Sequence, residues 1–159
     1  MTPRVLVAGI GNIFQSDDAF GVEVAGRLAA KTWPEGVRVE DFGIRGIHLA
    51  YELLEGYDTV VLVDAIATGE APGTVSVIEP DEIPGAGKPA DPHSLDPAAV
   101  LSLLADLGGS VGRLLLVGCE PADIEDGMGL SPPVAAAVDE AVRIVEELVD
   151  AACAHAGKE

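Results

Sequence analysis

The segment Val5-Leu6-Val7-Ala8-Gly9-Ile10-Gly11-Asn12, followed by Ile13-Phe14-Gln15-Ser16-Asp17-Asp18-Ala19-Phe20-Gly21, limits the possible folds more than any other part of the chain. A continuous apolar run, a glycine-rich turn and a helical pattern beginning near Asp18 read as strand, turn and helix. That is the unit that opens a parallel α/β sheet. The turn differs from a dinucleotide site. G-x-G-N has no third glycine three residues on, so a close helix–strand approach over a pyrophosphate is not encoded. Asp17 and Asp18 also stand where a phosphate would have to bind. Two carboxylates there repel a phosphate and attract a cation.

The rest of the chain continues the α/β pattern. Strands are expected at 36–42, ending at Asp41, at 58–64, apolar until Asp64, at 73–78 and at 113–118. Ser16 is expected to cap the first helix, whose apolar face is Phe20, Val24 and Leu28. A short helix follows at Ile47–Leu54 and stops at Gly56. Another begins at Pro97 behind an Asp96 cap, and a long one begins at Ser131-Pro132 and frays beyond Cys153. The short link from the third strand to 73–78 leaves no room for a helical crossover, so 73–78 is expected as an antiparallel edge strand. Residues 80–92, rich in Pro, Gly and Asp, form the longest irregular stretch and lead to His93. No repeat, linker or charge block divides the chain, so one domain over 1–159 is expected.

Charge excludes some classes of partner. Nine basic against 27 acidic side chains give a net charge of −18, a field that opposes nucleic acid and anionic membranes. No apolar run nears the roughly 20 residues of a membrane helix. The N-terminal segment shows no cleavage site behind an apolar core, so the cytoplasm is the expected location. Cys119 and Cys153 form no C-x-x-C pattern and imply no disulfide framework.

Five polar residues are expected at the carboxyl ends of the parallel strands: Asn12, Asp18, Asp41, Asp64 and Glu120. In open α/β sheets ligand crevices form at that edge. Asp64 stands out, because a carboxylate that closes an apolar strand is costly to bury without a partner. His93, on the long loop, can reach the same crevice. Asp18, Asp64 and His93 together would supply two oxygens and a nitrogen, a set suited to nickel, zinc, cobalt or iron. Each residue also has an ordinary structural reading. Asp17 and Asp18 can complement a helix dipole, Asp64 can cap the following turn, and Asp41 and Glu120 can be solvated strand ends. Cys119 invites a nucleophile reading with His93 as base. V-G-C-E-P, however, lacks the glycine two residues on that a nucleophile elbow uses, so a small buried hydrophobe is the better expectation. His48 and His155 look incidental.

Taken in order, G-I-G-N, D-D-A-F-G-V, V-D-A, P-G-T, H-x-L and G-x-E-P resemble the hydrogenase maturation endopeptidases, from about residue 4 to the C-terminal helix. The resemblance implies a three-layer α/β/α sandwich around a twisted, mostly parallel sheet of about five strands. It implies removal of a C-terminal extension from the nickel–iron hydrogenase large-subunit precursor after nickel insertion, with that precursor as protein partner. The metal-binding carboxylates of the family fall on Asp18 and Asp64 and its histidine on His93, which makes these three the expected catalytic and metal-binding residues. The nickel would arrive with the precursor, and other divalent metals would substitute for it in vitro. The chain departs from the family pattern D-G-G-T-x-G at Asp41-Phe42-Gly43-Ile44-Arg45-Gly46, where Arg45 adds a cation near the crevice. A non-catalytic nickel or precursor chaperone, and a metallohydrolase acting on small amides, are the competing classes.

Overall fold

The structure, a computed structural model, describes residues 3–79 and 97–156, excepting the side chains of 46, 97–99 and 155–156. The chain runs β1 (Val5–Ile10), a 3-10 turn (Ser16–Ala19), α1 (Phe20–Ala29), β2 (Val37–Gly43), α2 (Gly46–Leu53) and β3 (Thr59–Ala65). It continues through β4 (Val75–Ile78), α3 (Pro97–Asp106), β5 (Arg113–Cys119) and α4 (Pro132–Ala156). All five strands join one sheet in the order β2-β1-β3-β5-β4. The β1–β2, β1–β3 and β3–β5 pairs are parallel. β4 runs antiparallel along β5 at the edge, so the strand expected at 73–78 has the expected direction. It does not lie beside β3, because β5 is inserted between them.

Alternation along the strands builds two cores. Leu6, Ala8, Val60, Leu62, Leu114 and Leu116 point toward Leu49 and Leu53 of α2 and Val100 and Leu104 of α3. Val5, Val7, Val61, Val63 and Val117 point toward Phe20, Val24 and Leu28 of α1 and Val134, Val138, Ala141, Val145 and Val149 of α4. This is the three-layer sandwich, and it explains the unbroken apolar runs in β1 and β3: a parallel strand covered on both faces has no solvent side to mark with polar residues.

Several boundaries differ from the sequence reading. β2 does not end at Asp41 but runs on to Gly43, because its pairing with β1 slips by one residue between Gly9 and Ile10. α4 continues three residues beyond Cys153. The expected Ser16 cap is absent. Ser16 has a positive φ of 52°, and its hydroxyl donates to the Glu125 carbonyl at 2.8 Å instead of to the helix it precedes. The helix–strand approach is also close, although the loop lacks a third glycine. Gly21, inside α1, supplies the room: a Cβ there would stand 2.1 Å from the Val63 carbonyl oxygen. The stretch 80–92, His93 and the Asp96 cap lie outside the described residues.

Candidate active site at the carboxyl edge of the sheet

β1 is where the strand order reverses: its chain continues to β2 on one side, and β3 flanks it on the other. Parallel α/β sheets open a crevice at such a switch point, because the connections leave in opposite directions. The loop after β1 enters this crevice at Gly11. Its φ of 142° belongs to glycine, and a Cβ would lie 1.9 Å from the Asp18 carbonyl oxygen and 3.8 Å from Asp64 Oδ1. The Asp18 backbone and the Asp64 carboxylate therefore both come up to this glycine. The Asn12 N–H donates to Asp18 Oδ2 at 2.8 Å, and the Ala65 N–H to Asp64 Oδ1 at 2.8 Å. Asn12, Asp18 and Asp64, separated by up to 52 positions in sequence, meet here.

The two carboxylates sit in different surroundings. Asp64 is buried at the end of β3. Asp18 is half-buried, and desolvation raises its pKa above the ordinary carboxylate value, opposed by the Asn12 N–H. A desolvated carboxylate disfavours its own charge until a cation arrives. Carboxylate oxygens are the hard donors that divalent metals take. Among the described residues no group of three His, Cys, Asp or Glu side chains could hold a metal ion. The expected third ligand, His93, is outside those residues.

The other expected residues have different roles. Glu120 is not a solvated strand end. It is 7 % exposed, and its carboxylate accepts the N–H groups of Thr68 (2.9 Å) and Gly69 (2.6 Å), which folds the β3–β4 connection. Asp41 is exposed and lines a neighbouring pocket of about 290 Å³ with Gly11, Asn12 and Phe42. Arg45 is turned to its own backbone, donating from Nε to the Phe42 carbonyl at 3.1 Å and from Nη2 to the Asp41 carbonyl at 2.7 Å. Cys119 is fully buried, and burial, with Asp17, Glu120 and Glu140 nearby, pushes its thiol up to about 11. That protonated thiol is no nucleophile at neutral pH, in agreement with the small-hydrophobe reading.

Asp17, paired with Asp18 in the sequence reading, has a role of its own that the sequence did not show. It is fully buried, and its Oδ2 accepts from the N–H groups of Ala122 (2.8 Å) and Asp123 (2.9 Å) and the Ser131 hydroxyl (2.8 Å). Its Oδ1 accepts the Ser131 N–H at 2.7 Å. Nothing local distinguishes it from Asp18; its partners are over 100 positions away.

The same architecture is found in proteins of known activity. The chain matches the family model for hydrogenase maturation protease over residues 22–148. It is 35% identical to the hydrogenase 2 maturation protease of Escherichia coli strain K12, over 89% of this chain and 88% of that protein. The chain belongs to the hydrogenase maturation protease family. Hydrogenase expression/formation protein HupM of Azotobacter chroococcum mcd 1 is 37% identical over 90% of this chain and 70% of its own. The solved structure of the hydrogenase maturating endopeptidase HybD from E. coli superposes with a TM-score of 0.77 at 34% identity, covering 89% of both chains. Membership makes a hydrolase that acts in hydrogenase maturation the coarse assignment, consistent with processing a hydrogenase precursor. Among the described residues, no helix is long and apolar enough to cross a membrane.

Proposed function

We propose that this protein is the endopeptidase that removes the C-terminal extension of a nickel–iron hydrogenase large-subunit precursor in the cytoplasm, once nickel has been inserted. The nickel is part of the substrate and is recognised by Asp18, Asp64 and His93. The observation that carries this reading is that the Gly11-Asn12 turn at the switch point between β1 and β3 has the Asp18 carboxylate on the Asn12 N–H and Asp64 Oδ1 beside Gly11, in a chain of the maturation protease family. The raised pKa of Asp18 supports it further, because a cation beside that carboxylate restores the charge that burial disfavours. Once seated, the ion would polarise the scissile carbonyl and acidify a water molecule. The carboxylates hold the ion, and the wall of the crevice positions the peptide.

The purified protein is incubated with nickel-loaded and with nickel-free precursor, and each chain is weighed by mass spectrometry. The loaded precursor alone should lose its extension. A loaded precursor held by the protein at full length would make this a binding chaperone. Shortening of both precursors would refute nickel as the recognised element.

A further inference from the structure

Two loops at the carboxyl edge present apolar side chains to solvent while being held firmly from beneath. Met128 is 74 % exposed and Phe14 62 %, the two most exposed large hydrophobic side chains among the described residues; Ile13 and Ile124 on the same loops are also exposed. Loop flexibility does not account for this. Gln15 pairs with Gly127 as an isolated parallel bridge. The Gly127 N–H donates to the Phe14 carbonyl at 2.9 Å, and the Ser16 N–H to the Gly127 carbonyl at 3.0 Å. Buried Asp17 fastens both ends of the second loop, at Ala122 and Asp123 and at Ser131. An apolar display held in place loses little conformational entropy when a partner covers it, and exposed apolar groups gathered in one place mark interaction surfaces.

Position and charge define the partner. The Phe14 N–H donates to Asn12 Oδ1 at 2.9 Å, and the Asn12 N–H binds Asp18, so this wall is continuous with the candidate site. Asp123, Glu125 and Asp126 are exposed around it, and neither 12–18 nor 122–131 contains a lysine, arginine or histidine. A second copy of this chain would bring −18 against −18, and nucleic acid would be repelled likewise.

We propose that the clamped pair of loops is the surface on which the precursor protein docks, and that it takes an apolar precursor segment flanked by lysine or arginine, next to the bond to be cut. This inference rests on the peptidase reading of the site, and the test keeps the two apart. Nickel-loaded large-subunit precursor is titrated onto the immobilised protein at low and at physiological salt, and the mass of the recovered precursor is read from the same samples. Phe14→Ser and Met128→Ser should each weaken binding at least tenfold without lowering the melting temperature. Leu107→Ser, an exposed apolar position beside the opposite edge of the sheet, should stay within twofold of wild type. Glu125→Lys should weaken binding and flatten its salt dependence. Wild-type affinity in the two serine variants, salt-independent wild-type binding, or no wild-type binding would overturn the docking surface. A precursor that binds through these residues and leaves at full length would overturn the peptidase reading and support the docking surface.

Discussion

Asp17 and Asp18 are adjacent and chemically identical, yet the fold gives them opposite tasks. Desolvation pushes Asp17 upward, but the N–H groups of Ser131, Asp123 and Ala122 and the Ser131 hydroxyl outweigh it, so its pKa lies below the ordinary value. A folded-state value lowered in this way contributes stability that is fully present above the unfolded pKa. That stability is lost as pH falls through the folded one. Asp17→Asn would point an amide at four donors; we expect a loss of about 3 kcal/mol in urea unfolding, with the variant no longer showing this part of the acid-side fall. Cys119 gives the contrasting case. Its thiol is held up to about 11 by burial first and acidic neighbours second, so it contributes stability below the unfolded thiol value that is lost as pH rises toward 11. Cys119→Ala should cost about 1 kcal/mol, process precursor like wild type, and lack that alkaline loss when unfolding is compared at neutral and alkaline pH. The sequence placed Asp18 and Asp64 at the correct edge because strand ends are legible from apolar runs. It gave Asp17 only a helix-dipole or cation-attracting role and Glu120 that of a strand end open to solvent, because a carboxylate's hydrogen-bond partners across a fold leave no local signature.

Elements were legible where burial imposes a period. β1, β3, α1 and α4 were readable because both strand faces or one helix stripe must be apolar. Partner choice was less legible: β4 was correctly expected at an edge and antiparallel, while the insertion of β5 beside β3 is a pairing between distant segments that no local pattern marks. The tight seat of α1 was also missed, because the glycine that permits it lies on the helix and not in the turn. A methyl group at Gly21 would meet the Val63 carbonyl at 2.1 Å. Gly21→Ala should therefore push α1 off the sheet at a cost of about 3 kcal/mol, read by thermal unfolding, and should shift the 3-10 turn that carries Asp18. A stability loss under 0.5 kcal/mol would show that the helix has room to move.

At the scale of the whole molecule, 27 acidic and nine basic side chains make charge a force of its own. Mutual repulsion opposes compactness, and salt screens it over a Debye length that falls from about 30 Å at 0.01 M to about 8 Å at 0.15 M. The melting temperature should rise over that range, as calorimetry would show, and a fall would mean that surface ion pairs such as Arg27–Asp139 (2.8 Å) outweigh repulsion. The same field frames the site, where acidic residues cluster at the edge that would receive a metal-bearing partner. In the function proposed above, Asp18, Asp64 and His93 act together on nickel carried by the precursor. The most direct test of that claim is the mass of nickel-loaded precursor after incubation with Asp18→Asn, Asp64→Asn and His93→Ala, each first shown to be folded by circular dichroism. All three variants should leave the extension in place while His48→Ala removes it like wild type; removal at the wild-type rate by any of the three would contradict the claim.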